Sequence, residues 1–261
     1  PDVQFSFRES VEPVYREFVS LLVDQPNQKD LQTARETIEA LQLAELENFL
    51  RSACLEAKTA QIDQIDTNAA VIYPIILPDR LTVITSLPGR SLSVHSTKLP
   101  KAQIEKALET MLESLNPVYP DEERLQVSQQ IYQWLIQPIA QELEQSQIKT
   151  LTFVLDGTLR NIPIAALHDG ERYLIEKYGV AITPGLQLVE PRSLTQSQRL
   201  KALVGGITEE RQGFTSLPGV AREATQIASK LSTQIFLDRK FTRQNLQESI
   251  EQTQFPLIHL A

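Results

Sequence analysis

Residues 151–163 read Leu151-Thr152-Phe153-Val154-Leu155-Asp156-Gly157-Thr158-Leu159-Arg160-Asn161-Ile162-Pro163. The opening run is apolar but for Thr152, is too short for a helix, and ends in a turn dipeptide. It therefore predicts a strand buried on both faces. Asp156-Gly157 is a turn because glycine tolerates positive φ and aspartate bonds its own downstream backbone. The segments before this strand carry helical or hairpin patterns, and those after it alternate strand with helix. In alternating folds, sites gather at the carboxyl ends of parallel strands, which is where Asp156 is expected.

Upstream, Val11, Val14, Tyr15, Phe18, Val19 and Leu22 recur at helical spacing over residues 8–23. A second helix follows, with Leu31, Ala34, Ile38, Leu41, Leu46, Phe49, Leu50 and Ala53 as its stripe. The two helices are expected to pair antiparallel. Segments Ala69–Leu77, Leu81–Ser86 and Ser91–Thr97 are rich in Val, Ile and Thr. Turns at Pro78-Asp79 and Pro88-Gly89 separate them, predicting a small antiparallel meander. Two more helices carry Ile104 to Leu115 and Leu125 to Leu143, the second kinked by Pro138. Downstream, Lys201–Ile207, Gln234–Leu237 and Leu257–Ala261 read as strands. Helices with Val220 to Leu231 and, capped by Thr242, with Leu246 lie between them. The reading is an α/β fold with a mostly parallel sheet flanked by helices, behind an N-terminal helical segment and the meander. Its parts are 1–66, 67–148 and 149–261.

The chain has 261 residues and a net charge of -8, which gives no electrostatic basis for a nucleic-acid or anionic-membrane partner. No window approaches the roughly 18 consecutive apolar residues of a membrane span. With no signal-peptide pattern, a cytoplasmic location is expected. The start at Pro1 and the end on an apolar run are read as marks of a piece of a longer protein.

The candidates for chemistry are few. Cys54 is the only cysteine, so neither a disulfide framework nor a cysteine zinc cluster can form within the chain. It sits beside Ala53 on the second helix, as a small core residue would. Three histidines are too few and too scattered for a metal cluster. No ligand set for a metal is visible, and no cofactor is implied. His95 and His168 are expected to be solvated or structural. His259 lies within the last strand, either as a satisfied core residue or beside a site at the strand's end. Asp156 with Arg160 is either an Asx-type turn and a surface arginine, or the charged wall of a substrate pocket that would favour basic side chains. Gly205-Gly206 lacks the three-glycine spacing of a dinucleotide fold and is expected to let the backbone turn at the top of the sheet.

Phe153 to Gly170, then Tyr173-Leu-Ile-Glu-Lys-Tyr178, Thr183-Pro-Gly185, Leu217-Pro-Gly-Val-Ala-Arg-Glu-Ala224 and Leu257-Ile-His-Leu-Ala261 together resemble the CHAT family. These are caspase-like domains often found downstream of tetratricopeptide repeats and related to separase. The resemblance runs from about Ala69 to Ala261, and residues 6–58 look like the segment preceding the domain in cyanobacterial members. It implies a cysteine peptidase with a histidine base and a cysteine nucleophile at the ends of neighbouring parallel strands. It also implies a protein or peptide as substrate or partner, and repeat domains upstream. The family's terminal motif runs His-x-Ala-Thr-His-Gly, with the second histidine catalytic, and its nucleophile belongs to a later Ser-Ala-Cys. His259 matches the first histidine of that motif. The catalytic pair therefore falls on positions beyond Ala261, and no catalytic residue is expected within the chain. Arg51-Ser-Ala-Cys54 looks like the nucleophile motif but precedes the whole core, so it is read as a chance match. A chain inactive by itself is expected, with a non-catalytic interaction module as the alternative.

Overall fold

The computed structural model describes residues 7–50, 66–183, 200–253 and 255–261. They fall into two compact units that divide between Pro191 and Arg192.

In the first unit, helices α1 (Glu12–Leu22) and α2 (Gln28–Leu50) precede strands β1 (Ala69–Ile76), β2 (Arg80–Ser86) and β3 (Ser93–Lys98). Helices α3 (Lys101–Ser114), α4 (Asp121–Leu135) and α5 (Ala140–Gln145) follow, then β4 (Thr150–Phe153), the short α6 (Leu174–Lys177) and β5 (Gly179–Ile182). The meander forms as expected, with β2 antiparallel to both β1 and β3. Strand β4 lies parallel to β1, with Ala69 opposite Thr150 and Ile72 opposite Phe153, and β5 lies parallel to β4. The result is one five-stranded mixed sheet ordered β3-β2-β1-β4-β5. The meander and the 151–155 strand, read from the sequence as parts of different segments, thus share a sheet.

Every residue of β1 is buried because both faces of the sheet are covered. Ala70, Ile72 and Ile76 face a core built with α3, α4 and α5, including Ile104, Met111, Ile131, Leu135 and Leu143. Val71, Tyr73 and Ile75 face a second core with Val19, Leu31, Ala34, Ile38 and Leu41 of the N-terminal helices. Uniform burial removes the period-two signal, which is why this strand reads as a continuous apolar run. Pro74 is tolerated in β1 because the ladder to β4 covers only Ala69–Ile72, so at Pro74 an absent N–H breaks no bond to that strand. Pro138 ends α4: a 3-10 turn over Gln137–Ile139 separates it from α5.

The second unit holds β6 (Lys201–Gly206), α7 (Gly219–Lys230), β7 (Ser232–Leu237), α8 (Arg243–Gln252) and β8 (Leu257–Leu260). All strand pairings are parallel and the order is β7-β6-β8. A strand–helix–strand–helix–strand chain builds such a sheet with its first strand in the middle. Thr242 caps α8 as expected, its Oγ1 accepting the Asn245 N–H at 3.1 Å.

Candidate functional site

In the second unit, the carboxyl ends of β6, β7 and β8 share one edge. At this edge the reading of Gly205-Gly206 as turn glycines needs correcting. Both belong to β6, and neither has a positive φ. They are glycine because other groups lie where a side chain would stand. A Cβ at Gly205 would meet Phe241 Cε2 at 2.4 Å, and one at Gly206 would meet Val220 Cγ1 at 2.6 Å and the Ala261 carbonyl oxygen at 2.9 Å. A side chain can shift, whereas the backbone of the β6–β8 ladder cannot. Gly206→Ala is therefore expected to cost about 1–3 kcal/mol by overpacking, measured as a lower urea midpoint, with Gly219→Ala, which meets nothing within 4 Å, as the control. The ladder continues past β8: the Ala261 N–H donates to the Gly205 carbonyl at 2.9 Å, and the Ile207 N–H donates to the Ala261 carbonyl at 3.2 Å.

Asp238, just after β7, locks the same edge. Its Oδ1 accepts the Thr208 N–H at 2.6 Å and the Glu209 N–H at 3.2 Å, and its Oδ2 accepts the Thr208 hydroxyl at 2.8 Å. The Thr208 amide and hydroxyl hold this carboxyl below the usual aspartate range. Asp238 itself has φ +52°, a left-handed geometry that aspartate accepts more readily than most residues. Beside it lies an open depression of about 450 Å³ lined by Glu209, Ile235, Leu237, Asp238, Arg239 and Lys240. Nothing in Leu237-Asp238-Arg239 marks this role in advance, since Thr208 lies 30 residues away.

His259 sits on β8 opposite Val204. Its Nε2 lies 3.5 Å from Glu223 Oε2 of α7, close enough for an ion pair when the ring is protonated. Yet that nitrogen is shielded from solvent and makes no hydrogen bond. The satisfied-core reading therefore does not describe it. The side chain is 38% exposed, so the ring stands at the margin of the unit with Glu223 as its charged neighbour.

Asp156 and Arg160 belong to the first unit. Asp156 is only 1% exposed, and neither an Asx-type turn nor an open pocket wall describes its carboxylate. Arg16 of α1 grips it from both sides: Nη1 donates to Oδ2 at 2.7 Å and Nη2 donates to Oδ1 at 3.0 Å. The Ile76 N–H donates to Oδ2 at 3.0 Å, and the Ile76 carbonyl accepts from Arg16 Nη1 at 3.1 Å. Arg16 Nε also donates to Glu12 at 2.6 Å. Burial by itself would weaken the guanidinium's hold on its proton, but Asp156 and then Glu12 outweigh it and push the group above its usual range. Gly157 has φ +51°, which supplies the turn that Asp-Gly promised. Arg160 turns elsewhere, with Nε donating to the Leu155 carbonyl at 2.9 Å and Nη1 to Glu45 of α2 at 2.7 Å. Arg16 could not be singled out in the sequence, because an arginine on the polar side of an amphipathic helix is ordinarily solvated.

His168 is structural: it is buried, its Nδ1 accepts the Gly170 N–H at 3.0 Å, and its ring meets Tyr173 edge-on with centroids 4.8 Å apart. His95 Nε2 lies 2.8 Å from Glu142 of α5, whose other oxygen accepts the Ser93 hydroxyl at 2.7 Å. Cys54 lies outside the described residues. Among the described residues no three His, Cys, Asp or Glu side chains are grouped to hold a metal ion, and no helix is long and apolar enough to cross a membrane.

Comparison with known proteins adds one finding. The model of the CHAT domain family matches residues 125–261, just over half of the chain. The match begins within α4, so α1, α2 and the meander lie outside it. No curated protein matches the chain.

Proposed function

The chain belongs to the CHAT domain family, and on that premise we propose that it forms the N-terminal framework of a caspase-like cysteine endopeptidase without carrying the catalytic pair itself. At family level the chain contains a caspase-like module. The observation that best supports the finer reading is the parallel order β7-β6-β8, whose carboxyl ends share one edge beside the closely packed Gly205-Gly206. In this fold a base and a nucleophile at neighbouring strand ends can meet one peptide carbonyl, and backbone N–H groups there can stabilise the oxyanion. His259 stands next to this edge as a neighbour of the site and not as its base. The family's base and nucleophile fall on positions beyond Ala261, and Cys54 is not their substitute. No cofactor is needed, because a thiolate attacking a peptide carbonyl requires only a base and oxyanion donors. The substrate class is a peptide or protein, and repeat domains upstream would be its natural companions.

A second reading, a non-catalytic protein-interaction module, is favoured by apolar side chains left open in the second unit. Phe214, Leu217, Ile258 and Leu260 are 77%, 53%, 49% and 55% exposed, apolar surface that a protein partner would cover. The framework reading is tested by incubating the 261-residue chain with a mixed peptide library and following new amino termini. No product is expected. Efficient cleavage would overturn it.

A further inference from the structure

The contact between Arg16 and Asp156 has the composition of a ligand site. Every acceptor that the guanidinium finds outside its own helix belongs to the strand ends: both Asp156 oxygens just after β4, and the carbonyl of Ile76 at the end of β1. The Ile76 N–H fixes the carboxylate at 3.0 Å independently of α1, so the strands hold the receiving groups in place. Gly157 leaves the adjoining wall without a side chain: a Cβ there would lie 4.0 Å from Arg16 Nη2. The position is also the expected one, at the carboxyl end of a strand with parallel neighbours on both sides.

The helix that delivers Arg16 is held to the sheet largely by polar contacts: besides the Asp156 pair, Arg80 of β2 donates from Nη2 to the Ser20 carbonyl and hydroxyl, each at 2.9 Å. Within α1 only Val19 is fully buried, with Tyr15 and Leu22 packed at the margin of the core. Val14, Phe18 and Leu21 on its other side are 63%, 45% and 75% exposed. By contrast α2 buries Leu31, Ala34, Ile38 and Leu41. Part of what holds α1 is therefore a buried ion pair, an interaction whose Coulombic gain is largely offset by desolvation. With α1 in place the Asp156 carboxylate is 1% exposed, and Arg16 is the cation that meets both of its oxygens.

We propose that Asp156 and the Ile76 carbonyl form a guanidinium-binding site occupied in cis by Arg16, so that α1 is a strap over a site for the arginine side chain of a peptide partner. Two terminal nitrogens share three acceptors, a demand that a planar guanidinium meets and a lysine ammonium does not. The site lies in the first unit and does not depend on the peptidase reading.

The test is chemical rescue. Arg16→Ala is expected to lower the melting temperature. N-acetyl-arginine amide at millimolar concentration should recover most of the loss, while N-acetyl-lysine amide or sodium chloride at equal ionic strength should recover little. Adding Asp156→Asn to Arg16→Ala should abolish the recovery. If the arginine amide restores nothing, if lysine amide restores as much, or if rescue survives Asp156→Asn, the proposal is overturned. Should Arg16→Ala fail to fold, the wild-type chain decides. Arginine amide, supplied well above the millimolar effective concentration of a tethered side chain, should speed amide exchange in residues 12–22 more than lysine amide does. Equal exchange with both would overturn the proposal.

Discussion

Asp156→Ala is expected to destabilise the first unit by about 3–5 kcal/mol, the usual cost of removing one partner from a buried ion pair. The substitution leaves Arg16 with its side chain only 12% exposed and without its main counter-charge, and leaves the Ile76 N–H without its acceptor. Arg160→Ala makes the contrast. That side chain is 41% exposed, so its pairing with Glu45 is worth about 0–1 kcal/mol. Urea denaturation followed by far-ultraviolet circular dichroism measures both. A pocket-wall aspartate facing water would show the reverse order, with Asp156→Ala nearly silent.

Ile38→Ala is expected to cost about 2–5 kcal/mol, from lost transfer free energy plus the cavity left behind. Ile38 is fully buried on α2, in the core that includes Val71, Tyr73 and Ile75 of β1. The size of the effect decides whether the N-terminal helices are a layer of the first unit or an appendage to it. As a layer, their unfolding opens one face of the sheet, and Ile38→Ala lowers the whole unit's denaturation midpoint. As an appendage, α2 would melt early and the sheet's midpoint would stay put. Leu21→Ala, at a position 75% exposed on α1, should change stability by no more than about 0.5 kcal/mol and leave the midpoint almost unmoved.

These two substitutions also show what the sequence could reveal. The elements themselves were legible because each carries its own local signal. Ala69–Ile76 is a continuous apolar run, Thr242 precedes a helical pattern, and Asp156-Gly157 announces a turn that Gly157 makes with a positive φ. Strand partners within the meander were legible, but partners across segments were not. The pairing of β1 with β4 joins Ala69 to Thr150, and nothing in either strand names the other. Residues 1–66 read as a separate helical segment because their periodicity matches any helical pair. Their attachment rests on contacts distant in sequence: Glu39 accepting from the Tyr73 hydroxyl at 2.7 Å, Gln42 donating to the Leu155 carbonyl at 3.1 Å, and Arg16 reaching Asp156 across 140 residues. Polar residues on an amphipathic helix point by default to solvent, and only the assembled sheet supplies their partners.

The candidate site divides along the same line. The family motif could be read residue by residue, and the independent family match over residues 125–261 covers most of the stretch that carried it. The reason for Gly205-Gly206 could not be read, because it lies in Phe241, Val220 and the Ala261 backbone, which approach β6 only after folding. The unbonded Nε2 of His259 was equally hidden, since a histidine among apolar residues says nothing of whether its ring finds a partner.

The most direct measurement of whether this chain is framework without chemistry is peptide cleavage by the 261-residue protein and its Cys54→Ala variant, assayed side by side with circular dichroism to show equal folding. The account expects neither to cleave above background and both to keep the same fold. Cleavage by the parent chain that disappears in the equally folded Cys54→Ala variant would contradict it, and would make Cys54 the nucleophile.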